Sequence, residues 1–375
     1  IDRLVAWAEK RNDWPLVAKP TGSSGSDGVF FCNNVQDLKA AHGNIIGVRN
    51  PTGTMNNELA LQEFLAGDEY IVDTVSFNGK HLVVAIWVYT KRKGVPWSPH
   101  SIVVYQNELL PPRGEVQDKL AAYVFQVLDA VGLRYGPCHT EIMMTKRGPI
   151  LVEVNARLHG LQGPRLIELC TGISKATYAA DVILSKGELF HQLYQEGRPG
   201  RYLYQMNKQC VQMILVSPVE GFLANSIKRA LEEMELPSIL EILPAVEKGA
   251  YLQQTRDLPT VAGTLLLVHE SMDQIKADIA RIREAENDGS LYKVSPEPIP
   301  DSPAPFCPKS PSSRSQQRRR RPRAAGLARE DRGPLGVKPP NDAFRSETQT
   351  LFARPTCPQA ALAAFEVPAA PTSRG

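Results

Sequence analysis

Residues 138–157, CHTEIMMTKRGPILVEVNAR, decide how this chain is read. Ile150 to Asn155 alternates. As a strand it puts Glu153 and Asn155 on one face and Val152 and Val154 on the other. His139 and Glu141 share a face by the same rule, and Lys146-Arg147-Gly148-Pro149 reads as the hairpin connection between the two segments. Two carboxylates and an amide oxygen converging on one spot make an oxygen-rich, net-negative site suited to a hard cation such as Mg²⁺. The bland alternative is a hairpin with a solvated polar face, so the site needs support elsewhere.

Support lies near the start of the chain. Pro15 to Lys19 is a short apolar run ending in a lysine, and Thr21-Gly22-Ser23-Ser24-Gly25-Ser26-Asp27-Gly28 follows. Small residues with exposed backbone N–H groups suit wrapping phosphate oxygens, and the neighbouring Lys19 adds a point charge. The order is not that of a P-loop, because the lysine precedes the glycines, nor is it GxGxxG opening a helix. A third segment, Leu59 to Val75, has strand-like runs on either side of a break at Ala66-Gly67-Asp68. Taken alone it reads as a hairpin. Its edge could offer backbone groups to an adenine, and Glu69, just past the break, could accept hydrogen bonds from ribose hydroxyls.

Taken in order, a lysine with a glycine/serine loop, then QEFLAGDE, then H-T-E and E-V-N-A-R, the chain resembles the ATP-grasp superfamily of carboxylate–amine ligases. The resemblance runs from about Leu16 to about Arg283 and is most like the amino-acid ligases of the bacilysin-synthetase and carnosine-synthase type. It implies an α/β (α+β) ATP-grasp fold, in which two α+β subdomains sandwich the nucleotide. It also implies roles. Lys19 would contact ATP phosphates, and the loop carrying Gly22, Ser23, Ser24, Gly25 and Gly28 would close over them. Gln62 would meet the adenine amino group, with the backbones of Glu63, Phe64 and Leu65 along the base edge and Glu69 on the ribose. Glu141, Glu153 and Asn155 would hold two Mg²⁺ ions, with Mn²⁺ as a substitute, and Arg157 would stabilise the acyl-phosphate and the later oxyanion. His139 would orient Glu141 or simply pack. His100 and Arg165 are weaker substrate-side candidates. The implied partners are ATP, a small carboxylate and an amine, with a homodimer compatible. The superfamily normally carries an N-terminal α/β domain and another ATP-contacting lysine before the loop. This sequence has neither, so a truncated chain is expected, and the second reading is a nucleotide-binding module without ligase activity.

Composition bounds the rest. The chain has 375 residues, 42% of them hydrophobic, enough for substantial cores. Six cysteines and seven histidines show no zinc spacing, so reduced thiols and a cytoplasmic setting are expected. No apolar run approaches the roughly 20 residues of a membrane span. Residues 301–375 hold 13 Lys/Arg against 6 Asp/Glu and 12 of the 30 prolines, which makes the basic balance a property of the tail alone. Such a segment is expected to be disordered, and its arginine run 318–321 lacks the interleaved aromatics of a nucleic-acid site. The expected division is an ATP-grasp domain over 1–205, a small C-terminal α+β subdomain over 206–295 and a tail over 296–375. Helices are expected at 1–9, 116–132, 165–172, 177–187 and 272–286, and strands at 81–89, 203–216, 250–255 and 263–269.

Overall fold

The computed structural model describes residues 1–184, 186–194 and 204–299, with backbone alone for 92–94 and 98–103. The expected tail, and with it the arginine run 318–321, lies outside these apart from residues 296–299.

Helix α1 (Asp2–Arg11) precedes strand β1 (Leu16–Pro20), which pairs antiparallel with β2 (Phe30–Cys32). Helix α2 (Val35–Ile45) is opened by the Asn34 side chain, which accepts the Asp37 N–H. It buries Leu38, Ala41 and Ile45, one face at helical spacing. Strand β3 (Leu59–Glu63) completes a sheet of order β2-β1-β3. In β1 the period of two buries Leu16, Ala18 and Pro20 beneath the helices and turns Lys19 away from that core.

The second sheet begins at β4 (Gly67–Phe77). β3 and β4 are therefore not the two arms of a hairpin. β3 gives its hydrogen bonds to β1, and β4 gives its own to two other strands, so Phe64 to Ala66 crosses between sheets. β4 turns through Asn78 and Gly79, both at positive φ, into β5 (Lys80–Val95). That is the conformation an Asn-Gly hairpin requires. Then follow β6 (Ser98–Leu109), α3 (Glu115–Ala130), β7 (Gly136–Thr145), β8 (Gly148–Asn155), α4 (Gly163–Thr171), α5 (Lys175–Leu184) and α6 (Glu188–Leu193).

Residues 81–87 are buried without interruption because this antiparallel sheet is covered on both faces. Val72, Val83, Ile86 and Ile142 pack on α3 through Leu120, Val124 and Leu128. On the opposite face Ile71, Val75 and Trp87 pack with Leu166, Ile167 and Cys170 of α4 and Phe190 of α6.

The remaining elements are β9 (Gln209–Leu215), β10 (Gly221–Leu223), α7 (Ile227–Glu232), β11 (Ile239–Pro244), β12 (Tyr251–Leu252), β13 (Gly263–His269), α8 (Met272–Asn287) and β14 (Val294–Ser295). β10, β12 and β14 form a small sheet of their own. β9, β13 and β11 extend the large one, giving the order β11-β13-β9-β6-β5-β4-β7-β8. β9 begins just past residue 205, where a subdomain boundary was expected, and hydrogen-bonds β6, so the sheet continues through that point. Among the described residues no helix is long and apolar enough to cross a membrane. Cys32, Cys138, Cys170 and Cys210 are free and buried.

Two glycines should respond oppositely to alanine. A Cβ on Gly67, where the chain enters β4, would lie 2.0 Å from the Met144 carbonyl oxygen of β7, whereas one on Gly43 in α2 would meet nothing within 4 Å. Gly67→Ala is expected to destabilise by about 1–3 kcal/mol. Gly43→Ala is expected to stabilise by about 0.5–1 kcal/mol. Denaturant midpoints measure both; a neutral Gly67→Ala would show that β4 and β7 do not approach so closely.

Candidate functional site

One face of the large sheet gathers the polar residues singled out above. Residues directly opposite in antiparallel strands share a face, and β7 pairs with β8 so that His139 faces Asn155 and Glu141 faces Glu153. β4 pairs with β7 so that Asp73 faces His139 and Ile71 faces Glu141. On the other side of β4, Glu69 faces Tyr89 and Ile71 faces Trp87 of β5. Glu69, Asp73, Tyr89, His139, Glu141, Glu153 and Asn155 thus lie on one surface.

The β2-β1-β3 sheet meets this surface through two ion pairs. Lys19 Nζ is 3.6 Å from Glu153 Oε2, and Arg147 in the β7–β8 turn pairs with Glu63 at the end of β3. Of the adenine-edge candidates, Gln62 and Glu63 lie opposite Val17 and Leu16 in β1, Phe64 sets its ring edge-on to Phe31 at 5.6 Å, and Leu65 is half-buried. The glycine/serine loop joins β1 to β2. Ser23 Oγ donates to Asp27 at 2.7 Å, Asn50 Nδ2 donates to the Gly22 carbonyl, and Gly25, at φ +68°, packs against Leu258. Asn155 Nδ2 donates to Glu153 Oε1 at 2.8 Å. Arg157 is exposed just past β8, its guanidinium on the Leu158 carbonyl.

Carboxylates this close repel, and cations settle the charge. Lys91 of β5 reaches Glu69 at 2.5 Å. Burial would raise Glu141, but the hydrogen bond from His139 Nε2, 3.4 Å away, and the charge of Lys91 bring it down to about 2. Burial, and then the charge of Glu141, push Glu69 up in spite of Lys91. Lys91 was missed in the sequence. Its signal was a lysine two residues past Tyr89 and four past Trp87, on the polar phase of a strand that otherwise reads apolar.

Beneath this surface lies a second constellation that the motifs did not announce. Asp73 is fully buried and takes a donor on every side. Lys175 Nζ at 2.6 Å and His139 Nδ1 at 3.2 Å meet Oδ1, while His159 Nδ1 at 2.8 Å and Trp87 Nε1 at 3.0 Å meet Oδ2. Burial opposes the charge, yet Lys175 and the two histidines hold the carboxyl well below the usual range. Asp73, His139 and His159 are close enough to surround an ion. However, both oxygens are already saturated and Lys175 supplies the cation, so this is a hydrogen-bonded knot and not a metal centre. His139 does both things allowed for it, packing in the knot and donating toward Glu141. Arg165 pairs with Glu241. The side chain of His100 lies outside the described residues.

The oxygen donors Glu141, Glu153 and Asn155 fit a hard divalent cation, and Lys19 and Lys91 fit the phosphates that such a cation accompanies. Residues 12–164 match the family model described as the ATP-grasp domain. The mixed α/β architecture with a large antiparallel sheet is the ATP-grasp fold. It is 29% identical over 289 residues to dapdiamide A synthase of Enterobacter agglomerans, across 76% of this chain and 65% of that protein. Its fold is similar to that of the L-amino acid ligase from Bacillus licheniformis, with a TM-score of 0.55 at 19% identity over 72% of this chain and 62% of that one. It is similar also to carboxyaminoimidazole ribonucleotide synthase from Aspergillus clavatus complexed with ATP, with a TM-score of 0.52 at 12% identity over 77% and 66%. The chain spans less than two thirds of the length of these relatives.

Removing the knot's carboxylate strands a buried ammonium. Asp73→Asn is expected to cost about 3–5 kcal/mol in denaturant unfolding, and the double change with Lys175→Met should recover much of that loss. Equal stability of the single and double variants would show that Lys175 does not depend on Asp73.

Proposed function

We propose that this protein is an ATP-dependent ligase that joins a carboxylate to an amine, both from amino acids or close analogues, through an acyl-phosphate. The observation that carries the reading is the meeting of Lys19 with Glu153, beside Glu141 and Asn155, where two sheets come together. Similarity to dapdiamide A synthase, and in fold to an L-amino acid ligase, supports amide formation with amino acids as the substrate class.

A carboxylate resists attack because it is an anion and its leaving group would be oxide. Transfer of the γ-phosphoryl group from ATP turns that oxygen into phosphate, which leaves readily. The amine then forms the C–N bond as the C–O bond to phosphate breaks. The protein's task is to hold two anions together and neutralise the charge that develops, which is work for positioned cations and dipoles.

Lys19 and the loop residues Gly22, Ser23, Ser24, Gly25 and Gly28 hold phosphate oxygens in this reading, with Lys91 as a second cation on the opposite sheet. Lys19 suits the role because its pairing with Glu153 is long and partly exposed, so a phosphate can compete for it. Gln62, Glu63, Phe64 and Leu65 line the adenine, and Glu69 faces the ribose. Glu141, Glu153 and Asn155 hold two Mg²⁺ ions, with Mn²⁺ able to substitute. When bound, these ions neutralise and orient the phosphates. His139 keeps Glu141 ionised and aimed. Arg157, exposed and always charged, meets the acyl-phosphate and the oxyanion.

Substrate-dependent release of ADP and phosphate should fall about 10²-fold or more in Glu153→Gln and in Arg157→Ala, with thermal unfolding unchanged. The pair of amino acids is found by screening pairwise for phosphate release. Turnover that survives both changes would remove the site assignment.

A further inference from the structure

Amide formation poses a proton problem that the phosphate-binding face does not solve. An amino acid arrives as an ammonium, which has no lone pair with which to attack. Something must take a proton from it.

The buried knot has an outlet suited to that task. His139 has both ring nitrogens committed, Nδ1 to Asp73 and Nε2 to Glu141. His159 is different. Its Nδ1 lies 2.8 Å from Asp73 Oδ2, so Nδ1 carries the hydrogen and Nε2 of the neutral ring keeps its lone pair. Burial disfavours a charge on this ring and, with smaller contributions from His139 and Lys175, outweighs the pull of Asp73, which keeps it neutral. Tyr89 Oη lies 3.4 Å from that Nε2, and the hydroxyl is the partner with a hydrogen to donate.

Tyr89 also faces outward. It stands opposite Glu69 in the strand register, and burial together with the charges of Glu141, Asp73 and Glu69 holds its hydroxyl protonated well above the usual phenol range, with Arg157 opposing. Its hydroxyl therefore links the acidic face to the knot. The imidazole is held in place: the Trp87 ring is 5.1 Å away, the His139 ring is 4.5 Å away, and Gly163 lies so close that a Cβ there would meet His159 Cδ2 at 2.4 Å.

We propose that Tyr89 takes the proton from the attacking amine and passes its own hydroxyl proton to His159 Nε2, with Asp73 fixing the imidazole. The assignment rests on the ligase reading above. One N–H bond of the ammonium breaks and its proton goes to Tyr89 Oη, while the hydroxyl proton moves to His159. The freed lone pair forms the C–N bond, and the C–O bond to phosphate breaks with its electron pair going to phosphate. The second nitrogen proton leaves on the departing hydrogen phosphate, and His159 afterwards returns its proton through Tyr89 to solvent. Tyr89 is the catalytic residue; His159 and Asp73 act through it as positioning residues.

Hydroxylamine separates the steps, because it is largely uncharged at neutral pH and attacks an acyl-phosphate without first losing a proton. In the intact protein, with an amino-acid pair that supports phosphate release, amide formation is compared with hydroxamate formation when hydroxylamine replaces the amine. Tyr89→Phe and His159→Gln should lower the amide rate about 10²-fold more than the hydroxamate rate. Gly163→Ala, which pushes the imidazole aside, should shift the ratio in the same direction. Amide and hydroxamate rates that fall in parallel, or an amide rate untouched in Tyr89→Phe, would overturn the relay while leaving the ligase standing. A parent protein that releases no phosphate with any pair would overturn the ligase reading and the relay with it.

Discussion

Three carboxylates on one sheet face are the constraint around which this site is built. Glu69, Glu141 and Glu153 would splay apart if left alone, since like charges in a partly buried space repel strongly. The protein supplies a cation to each: Lys91 to Glu69, His139 to Glu141 and Lys19 to Glu153. Two of the three sit in the large sheet and stay where they are. Lys19 comes from the β2-β1-β3 sheet, so its pairing with Glu153 spans the two sheets. A divalent ion would take over part of that neutralising work at Glu153, which frees Lys19 for phosphate.

The floor of the site is set by Asp73. A carboxylate with four donors cannot rotate, and it fixes one ammonium, two imidazoles and one indole, from α5, β7, the loop before α4 and β5. One imidazole points at Glu141 and the other at Tyr89. A single buried group thereby aims one residue toward the proposed metal ligands and another toward the proposed amine site. Gly163 and Trp87 remove the remaining freedom of His159.

What was legible in the sequence was local. The alternation that set Glu153 beside Asn155 holds in β8, the Asn78-Gly79 turn closes the hairpin it should, and α3 and α8 fall where helical spacing put them. What stayed hidden depends on contacts between distant segments. Asp73 and Lys175 are 102 residues apart, and nothing in the pattern around either one says that the other is its partner. Lys91 sits in a strand whose burial suggested core. The break at Gly67 looked like a hairpin because strand pairing partners are not written into a strand's own period. β3 and β4 instead belong to different sheets.

The claim beneath all of this is that Glu141, Glu153 and Asn155 hold a divalent ion that in turn holds nucleotide phosphates. Calorimetric titration of a non-hydrolysable ATP analogue into the intact protein, with Mg²⁺ and then with a chelator, tests it most directly. The account expects binding that weakens about tenfold or more when the metal is removed, a loss of about 1.4 kcal/mol or greater. Equal affinity with and without Mg²⁺ would contradict it.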